Sequence, residues 1–187
     1  SCIQVVHDSR NNSSLCNNII WDIYKDKNQN IWLATNRGVS LAQTNTGREF
    51  VHISEIVHSS EGNLFTRMLL DSFGDYWLGG ENGLIHIAAK GKAYNATWFR
   101  QDSEESHLKH NRIRHIYEDS SHDIWIASDG GVGKYDRVTE KFNFFNIQVD
   151  STGKNANWAY SILEDKIGRE WFASYMGVDW ENGQFSI

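Results

Sequence analysis

Proline is absent from all 187 residues, and nothing else in the sequence accounts for that. Cysteine is nearly absent, with only Cys2 and Cys16. Two thiols cannot staple a disulfide-dense scaffold. They pair with each other only in an oxidising compartment with suitable geometry, and otherwise both stay free. Basic residues are few, 18 Lys and Arg against 24 Asp and Glu, for a net charge of -6. That argues against nucleic acid, which needs clustered Lys and Arg. It also disfavours a strongly anionic ligand, while leaving room for a local basic patch. No apolar run approaches the roughly 18 residues of a membrane span. There is no signal peptide and no initiator methionine, so the chain is expected to be a piece of something longer. G-x-S-x-G, P-loop and dinucleotide fingerprints are all missing.

What is present is repetition. "YKDKNQNIWLATNRGVS" (24–40) returns as "LLDSFGDYWLGGENGLI", "YEDSSHDIWIASDGGVG" and "LEDKIGREWFASYMGVD". The anchors are Asp26, Trp32 and Gly38; Asp71, Trp77 and Gly83; Asp119, Trp125 and Gly131; Asp165, Trp171 and Gly177. Asp to Trp is always six residues and Trp to Gly six more, while successive copies are 45, 48 and 46 residues apart. A period of this size is the signature of an array or a propeller.

Each copy reads as four short strands. In the first, "IIWDIYKD" is rich in β-branched and aromatic residues, "IWLAT" and "VSLAQ" flank the tight "NRG" turn, and "REFVHI" follows "TNTG". "ATWFRQ" and "KFNFFNI" are the matching outer strands of later copies. No window sustains a 3.6-residue period, which argues against helix. Four antiparallel strands in about 46 residues make a propeller blade. The predicted fold is therefore an all-β propeller of about four blades, a partial ring or a fragment of a seven-bladed one. It forms one domain over 1–187, with blades near 19–53, 64–101, 112–147 and 158–187, and with 2–8 as an outer strand of a preceding or ring-closing blade. The last copy is expected to end near "GQFSI" without its own outer strand.

The anchors read as structural. Two residues after each Trp stands a small residue (Ala34, Gly79, Ala127, Ala173) on the same strand face, and between them a large apolar one (Leu33, Leu78, Ile126, Phe172) on the other. Both faces of this strand should therefore be buried, with Trp filling space between blades. Asn18, Asn63, Asn111 and Asn157, eight before each Asp, suit a bond to a neighbouring backbone turn.

Asp, a short turn, a large residue, Trp, a small residue, then Gly and Val or Leu resembles the two-component regulator propeller repeat, and "SSLCNN" and "HLKHNR" look like its lead-in. The resemblance covers nearly the whole chain in four copies. It implies the periplasmic sensor region of a Bacteroides-like hybrid histidine kinase. Many such regions detect oligosaccharides, and they carry seven-bladed propellers followed by an immunoglobulin-like domain, a membrane helix and a kinase. Seven blades would need roughly 320 residues at this period, so further blades or another subunit would complete the ring, and self-association is expected. The chain itself is expected to be non-catalytic and to need no cofactor.

Variation at equivalent positions marks where a unique site could sit on a repeated frame. The hairpins after the Trp strand differ: Asn36-Arg37, Glu81-Asn82, Asp129-Gly130, Tyr175-Met176. Five residues before each Asp stand Trp21, Thr66, Arg114 and Tyr160; four before, Asp22, Arg67, His115 and Ser161. Aromatics beside arginines suit a sugar, with rings against its apolar faces and polar groups on its hydroxyls. The candidate ligand-binding residues are Trp21, Arg37, Arg67, Glu81, Arg114, His115, Asp129, Trp158, Tyr160 and Tyr175. The alternatives are a polysaccharide lyase or hydrolase using Glu81, Asp129 or Tyr175, and a protein scaffold. "DKNQNI" begins like a calcium loop but has Ile31 where Gly is needed, and Asp71 with Asp75 and Asp119 with Asp123 read as turn residues. His107, His110 and His115 lack the further ligand a zinc site requires. Asn12 and Asn95 fit the N-glycosylation pattern, which matters only in a eukaryotic secretory setting.

Overall fold

The inner strand, the Trp strand and the strand after Gly recur at the predicted places. A computed structural model describes residues 4–26, 29–42, 50–52, 64–90, 93–103, 108–145, 158–174, 178–181 and 184–186. Sixteen strands and no helix occur among them. The first blade holds β1 (Ile20–Lys25), β2 (Ile31–Thr35), β3 (Gly38–Ala42) and β4 (Phe50–His52). The second holds β5 (Phe65–Leu70), β6 (Tyr76–Gly80), β7 (Gly83–Lys90) and β8 (Ala93–Phe99). The third holds β9 (Ile113–Glu118), β10 (Ile124–Ser128), β11 (Gly131–Asp136) and β12 (Lys141–Phe145). The fourth holds β13 (Ala159–Glu164), β14 (Glu170–Ser174), β15 (Val178–Glu181) and β16 (Gln184–Ser186). Each blade is one antiparallel sheet whose strands lie in chain order.

Two expectations need correction. The fourth blade has an outer strand after all: β16 pairs with β15, Trp180 opposite Phe185. Residues 4–8 carry no strand. They are tied instead by the His7 N–H, which donates to Asn18 Oδ1 at 2.6 Å, and by His7 Nδ1, 2.6 Å from the Leu15 carbonyl. An outer strand needs a sheet to join: no blade precedes the first among the described residues, and the fourth, which would close a ring, already fills its outer position with β16.

Each Asp anchor binds its own Trp. The indole N–H of Trp32, Trp77, Trp125 and Trp171 donates to Oδ2 of Asp26, Asp71, Asp119 and Asp165 at 3.0, 3.0, 2.7 and 3.0 Å. Oδ1 meanwhile accepts turn N–H groups, such as those of Ser121 and Asp123 on Asp119, both at 2.9 Å. One carboxylate therefore closes the turn and sets the indole. The third turn residue lies in the left-handed region in all four copies: Gln29 (φ 68), Gly74 (φ 93), His122 (φ 67) and Gly168 (φ 80).

Three cores lie between consecutive blades. Trp32, Ala34 and Val39 of the first blade pack on Met68, Tyr76 and Leu78 of the second. Trp77, Leu84 and Phe99 pack on Ile113, Ile126 and Phe142 of the third, and Trp125, Ala127 and Val132 on Ala159, Ile162 and Phe172 of the fourth. Trp32, Trp77 and Trp125 thus face the next blade, and Leu78, Ile126 and Phe172 face the previous one. Each such apolar side chain contributes roughly 1.5–3 kcal/mol on burial. At the two flanks one face stays open: Ile23 is 63% exposed and Leu163 62%, Leu33 is half-buried and Ala173 exposed. Inner strands pack in sequence, β1 on β5, β5 on β9 and β9 on β13. Carboxylates latch neighbours together: Glu118 accepts the Ser72 N–H at 2.9 Å and Glu164 that of Ser120 at 2.7 Å.

Candidate functional site

The ladder between each inner strand and its Trp strand slips at one recurrent place. The pairing jumps from Ile20 to Asp22, from Phe65 to Arg67, from Ala159 to Ser161, and between the partners of Ile113 and His115. The residue skipped is Trp21, Thr66, Tyr160 and Arg114 respectively. A bulge leaves its extra residue outside the ladder and re-aims its side chain. Here all four bulged residues line one cavity of about 230 Å³, with Leu64, Arg67, Glu81, Arg112 and Ile113 completing it. The hairpins after the Trp strands close on the same end: the N–H groups of Asn36, Glu81 and Asp129 donate to the carbonyls of Ile19, Leu64 and Arg112 at 3.1, 3.3 and 3.3 Å.

The wall is aromatic on two sides. Trp21 is 52% exposed, and its indole N–H donates to Asn36 Oδ1 at 2.6 Å, which fixes the ring while leaving its surface open. Tyr160 lies under the Arg114 guanidinium, 4.5 Å from the ring centroid, and is 39% exposed. Between them sit charges. Arg114 Nε donates to Asp129 Oδ1. Arg112 Nε lies 3.0 Å from Glu81 Oε1, and its Nη1 3.9 Å from Asp129 Oδ2. Arg67 holds the backbone instead, donating from Nε to the Arg114 carbonyl at 2.7 Å and from Nη1 to the Thr66 carbonyl at 2.5 Å. Three arginines against two carboxylates make the local basic patch that the net charge left open.

Of the residues the sequence nominated, Trp21, Arg67, Glu81, Arg114 and Tyr160 come together in the cavity wall, and Asp129 stands behind Arg114. Arg37 is exposed in its hairpin, its N–H on Thr35 Oγ1 at 3.1 Å, and Trp158 is exposed; neither lines the cavity. His115 bridges inner strands, its Nδ1 accepting the Ile162 N–H at 3.1 Å. Burial first, and then the Arg67 guanidinium, push the His115 pKa below its ordinary value against an opposing pull from Asp22. Tyr175, along with Gly177, Asn63, Asn157, Cys2 and His107, lies outside the described residues. Asn111 Oδ1 accepts the Gln101 N–H at 2.7 Å, the turn bond expected of its repeat position.

Arg112 was not among the nominated residues. It stands just before β9, and its repeat equivalents Ile19, Leu64 and Trp158 vary as freely as the bulged residues.

The family described as the two component regulator propeller matches residues 14–37 and 107–130, the lead-ins and inner hairpins of the first and third blades. The chain carries repeats of the two component regulator propeller family. The extracellular domain of a putative hybrid two component system from B. thetaiotaomicron is 46% identical with a TM-score of 0.62, over 94% of this chain and 23% of that one. A protein named histidine kinase P4 from Formosa agariphila is 26% identical over 156 residues, 82% of this chain and 11% of that protein. The chain thus spans under a quarter of these relatives. Virginiamycin B lyase from Staphylococcus aureus shares the fold alone, at 14% identity and a TM-score of 0.63, over 89% of this chain and 54% of the lyase. In sequence as well as fold, the chain resembles the extracellular domain of a putative hybrid two component system.

Proposed function

We propose that the chain is part of an extracytoplasmic sensor that binds an oligosaccharide at the bulge-lined cavity and signals to a kinase elsewhere in its parent protein. The observation that carries this is the fourfold bulge. A recurrent irregularity aims one different residue per blade, Trp21, Thr66, Arg114 and Tyr160, at one space. The cavity is smaller than a drug-sized site, which suits one sugar ring of a longer chain. Trp21 and Tyr160 offer faces for the ring, and Arg112, Arg114 and Glu81 offer donors and acceptors for hydroxyls. Ligand held between blades would act by biasing how blades or subunits pack.

A thermal-shift screen of plant and host oligosaccharides, followed by calorimetric titration of any that stabilise, tests this. Trp21→Ala and Tyr160→Ala should each weaken binding about tenfold, or 1.4 kcal/mol, with unfolding unchanged. If no oligosaccharide stabilises the chain, or if the double variant binds as tightly, the sensing proposal falls. Glu81 in the cavity wall keeps an enzyme reading in play: turnover of a polysaccharide, lost on Glu81→Gln, would favour it. The pairing of both Glu81 and Asp129 with arginines suits a binding frame better than proton transfer. The open faces at Ile23 and Leu163 support packing against further blades or a second chain, which sedimentation would reveal as association.

A further inference from the structure

A second cavity lies at the opposite end of the blades, between the second and the third. It measures about 330 Å³ and is lined by Asp75, His86, Asn95, Tyr135, Arg137 and Glu140, with Thr97 and Ala88 at its floor. Asp75 sits in the β5–β6 turn and Glu140 in the β11–β12 turn, both remote from the hairpins that close on the bulge cavity.

The cavity's groups are held in place. His86 stacks flat on Trp77, centroids 4.1 Å apart and planes 10° apart, and its Nε2 lies 2.9 Å from Asp75 Oδ2. Arg137 reaches back to the second blade, its Nη2 donating to buried Asp71 at 3.0 Å, with Phe73 against its guanidinium at 4.4 Å. Its Nε–H is buried and has no acceptor among the described residues, while the side chain as a whole stays 30% exposed at the cavity wall. Burial, and then Glu140, push the Tyr135 pKa up to about 12, so its hydroxyl stays a donor.

Charge decides the ligand. Arg137 is matched by Asp71 and Asp75 is engaged by His86, which leaves the exposed Glu140 carboxylate with no paired cation among the cavity's residues. Glu140 also holds φ 56, a left-handed conformation that costs a side-chain-bearing residue about 1–2 kcal/mol and glycine nothing.

We propose that this cavity is a second ligand site, which takes a hydroxylated ring bearing a positive charge, the chemistry of an unacetylated amino sugar. Its ammonium meets Glu140 beside Tyr135, and its hydroxyls meet Asn95 and Thr97. Neither the fold nor the bulge cavity requires it.

The test is NMR shift mapping on the 187-residue chain with glucosamine, glucose and N-acetylglucosamine at matched ionic strength. Glucosamine should give saturable shifts at Asn95, Thr97 and Glu140, and the two uncharged sugars should bind at least tenfold more weakly. Glu140→Gln should weaken glucosamine at least tenfold. Glu140→Gly should do the same while folding at least as stably, which separates lost binding from lost structure. Tyr160→Ala, in the other cavity, should leave the effect intact. No saturable shift, equal response to all three sugars, parent-like binding by Glu140→Gln, or loss of binding in Tyr160→Ala would each overturn the proposal.

Discussion

Replacing Asp119 by alanine should cost about 3 kcal/mol of stability. Its carboxylate is 5% exposed and accepts three bonds: the Trp125 indole at 2.7 Å and the Ser121 and Asp123 amides at 2.9 Å each. A buried donor stripped of its acceptor costs about 1–3 kcal/mol. The indole is fully buried between the third and fourth blades and has no route to water, so it carries most of the loss. The two turn amides border solvent and recover part of theirs. Asp119→Asn should cost about half as much, because an amide keeps one oxygen but opposes an N–H either to the indole or to the turn. Urea unfolding followed by tryptophan fluorescence measures this, with an unchanged slope as the check that both states are comparable. Asp8→Ala is the control: the Asp8 carboxylate holds Arg10 at the surface, its backbone bonds to Ser14 and Asn11 survive the change, and the midpoint should shift hardly at all. A loss under about 0.5 kcal/mol for Asp119→Ala, within the range of surface substitutions, would refute the idea that this carboxylate sets the blade.

Other outcomes follow from the same geometry. Gln29→Gly and His122→Gly should each stabilise by about 0.5–1 kcal/mol in thermal or urea unfolding, because both residues hold the left-handed conformation that Gly74 and Gly168 supply in the other turns. Gly80→Ala should cost at least about 3 kcal/mol or abolish folding, since a Cβ there would overlap the Leu64 carbonyl oxygen. His115 is held neutral by burial and by Arg67, so the folded state binds fewer protons there than the unfolded one. Its contribution is complete above the unfolded-state pKa of roughly 6.5 and is lost as pH falls below it; His115→Gln should flatten the stability profile across that window.

The blade was legible because its signals are local and repeated. Six-residue spacings, Gly after the hairpin and the alternation of Leu33, Leu78, Ile126 and Phe172 with their small neighbours fixed the Trp strand in all four copies. The Asp–Trp bond was not legible, since a spacing of six says nothing about which atoms meet across a turn; Asp read as a turn residue and Trp as filler, and each is also the other's partner. The outer strand of the last blade was missed because "GQFSI" is short and its partner "VDWE" carries two charges. In the site, variation between copies singled out Trp21, Arg114 and Tyr160 without revealing the bulge that unites them. A bulge is a register property of two strands, invisible in either alone. Arg37 and Trp158 vary just as much yet stand in the open, so variability alone overcounts.

The bulge has a consequence for how such repeats diversify. A residue outside the hydrogen-bonded ladder can be exchanged without asking its neighbours to re-register, and none of the four bulged residues belongs to an inter-blade core. Each blade therefore carries one address that can be rewritten cheaply, while the indole, the carboxylate and the glycine beside it hold the frame still. Four such addresses pointing at one space let recognition drift from one chemistry to another with the architecture left as it was.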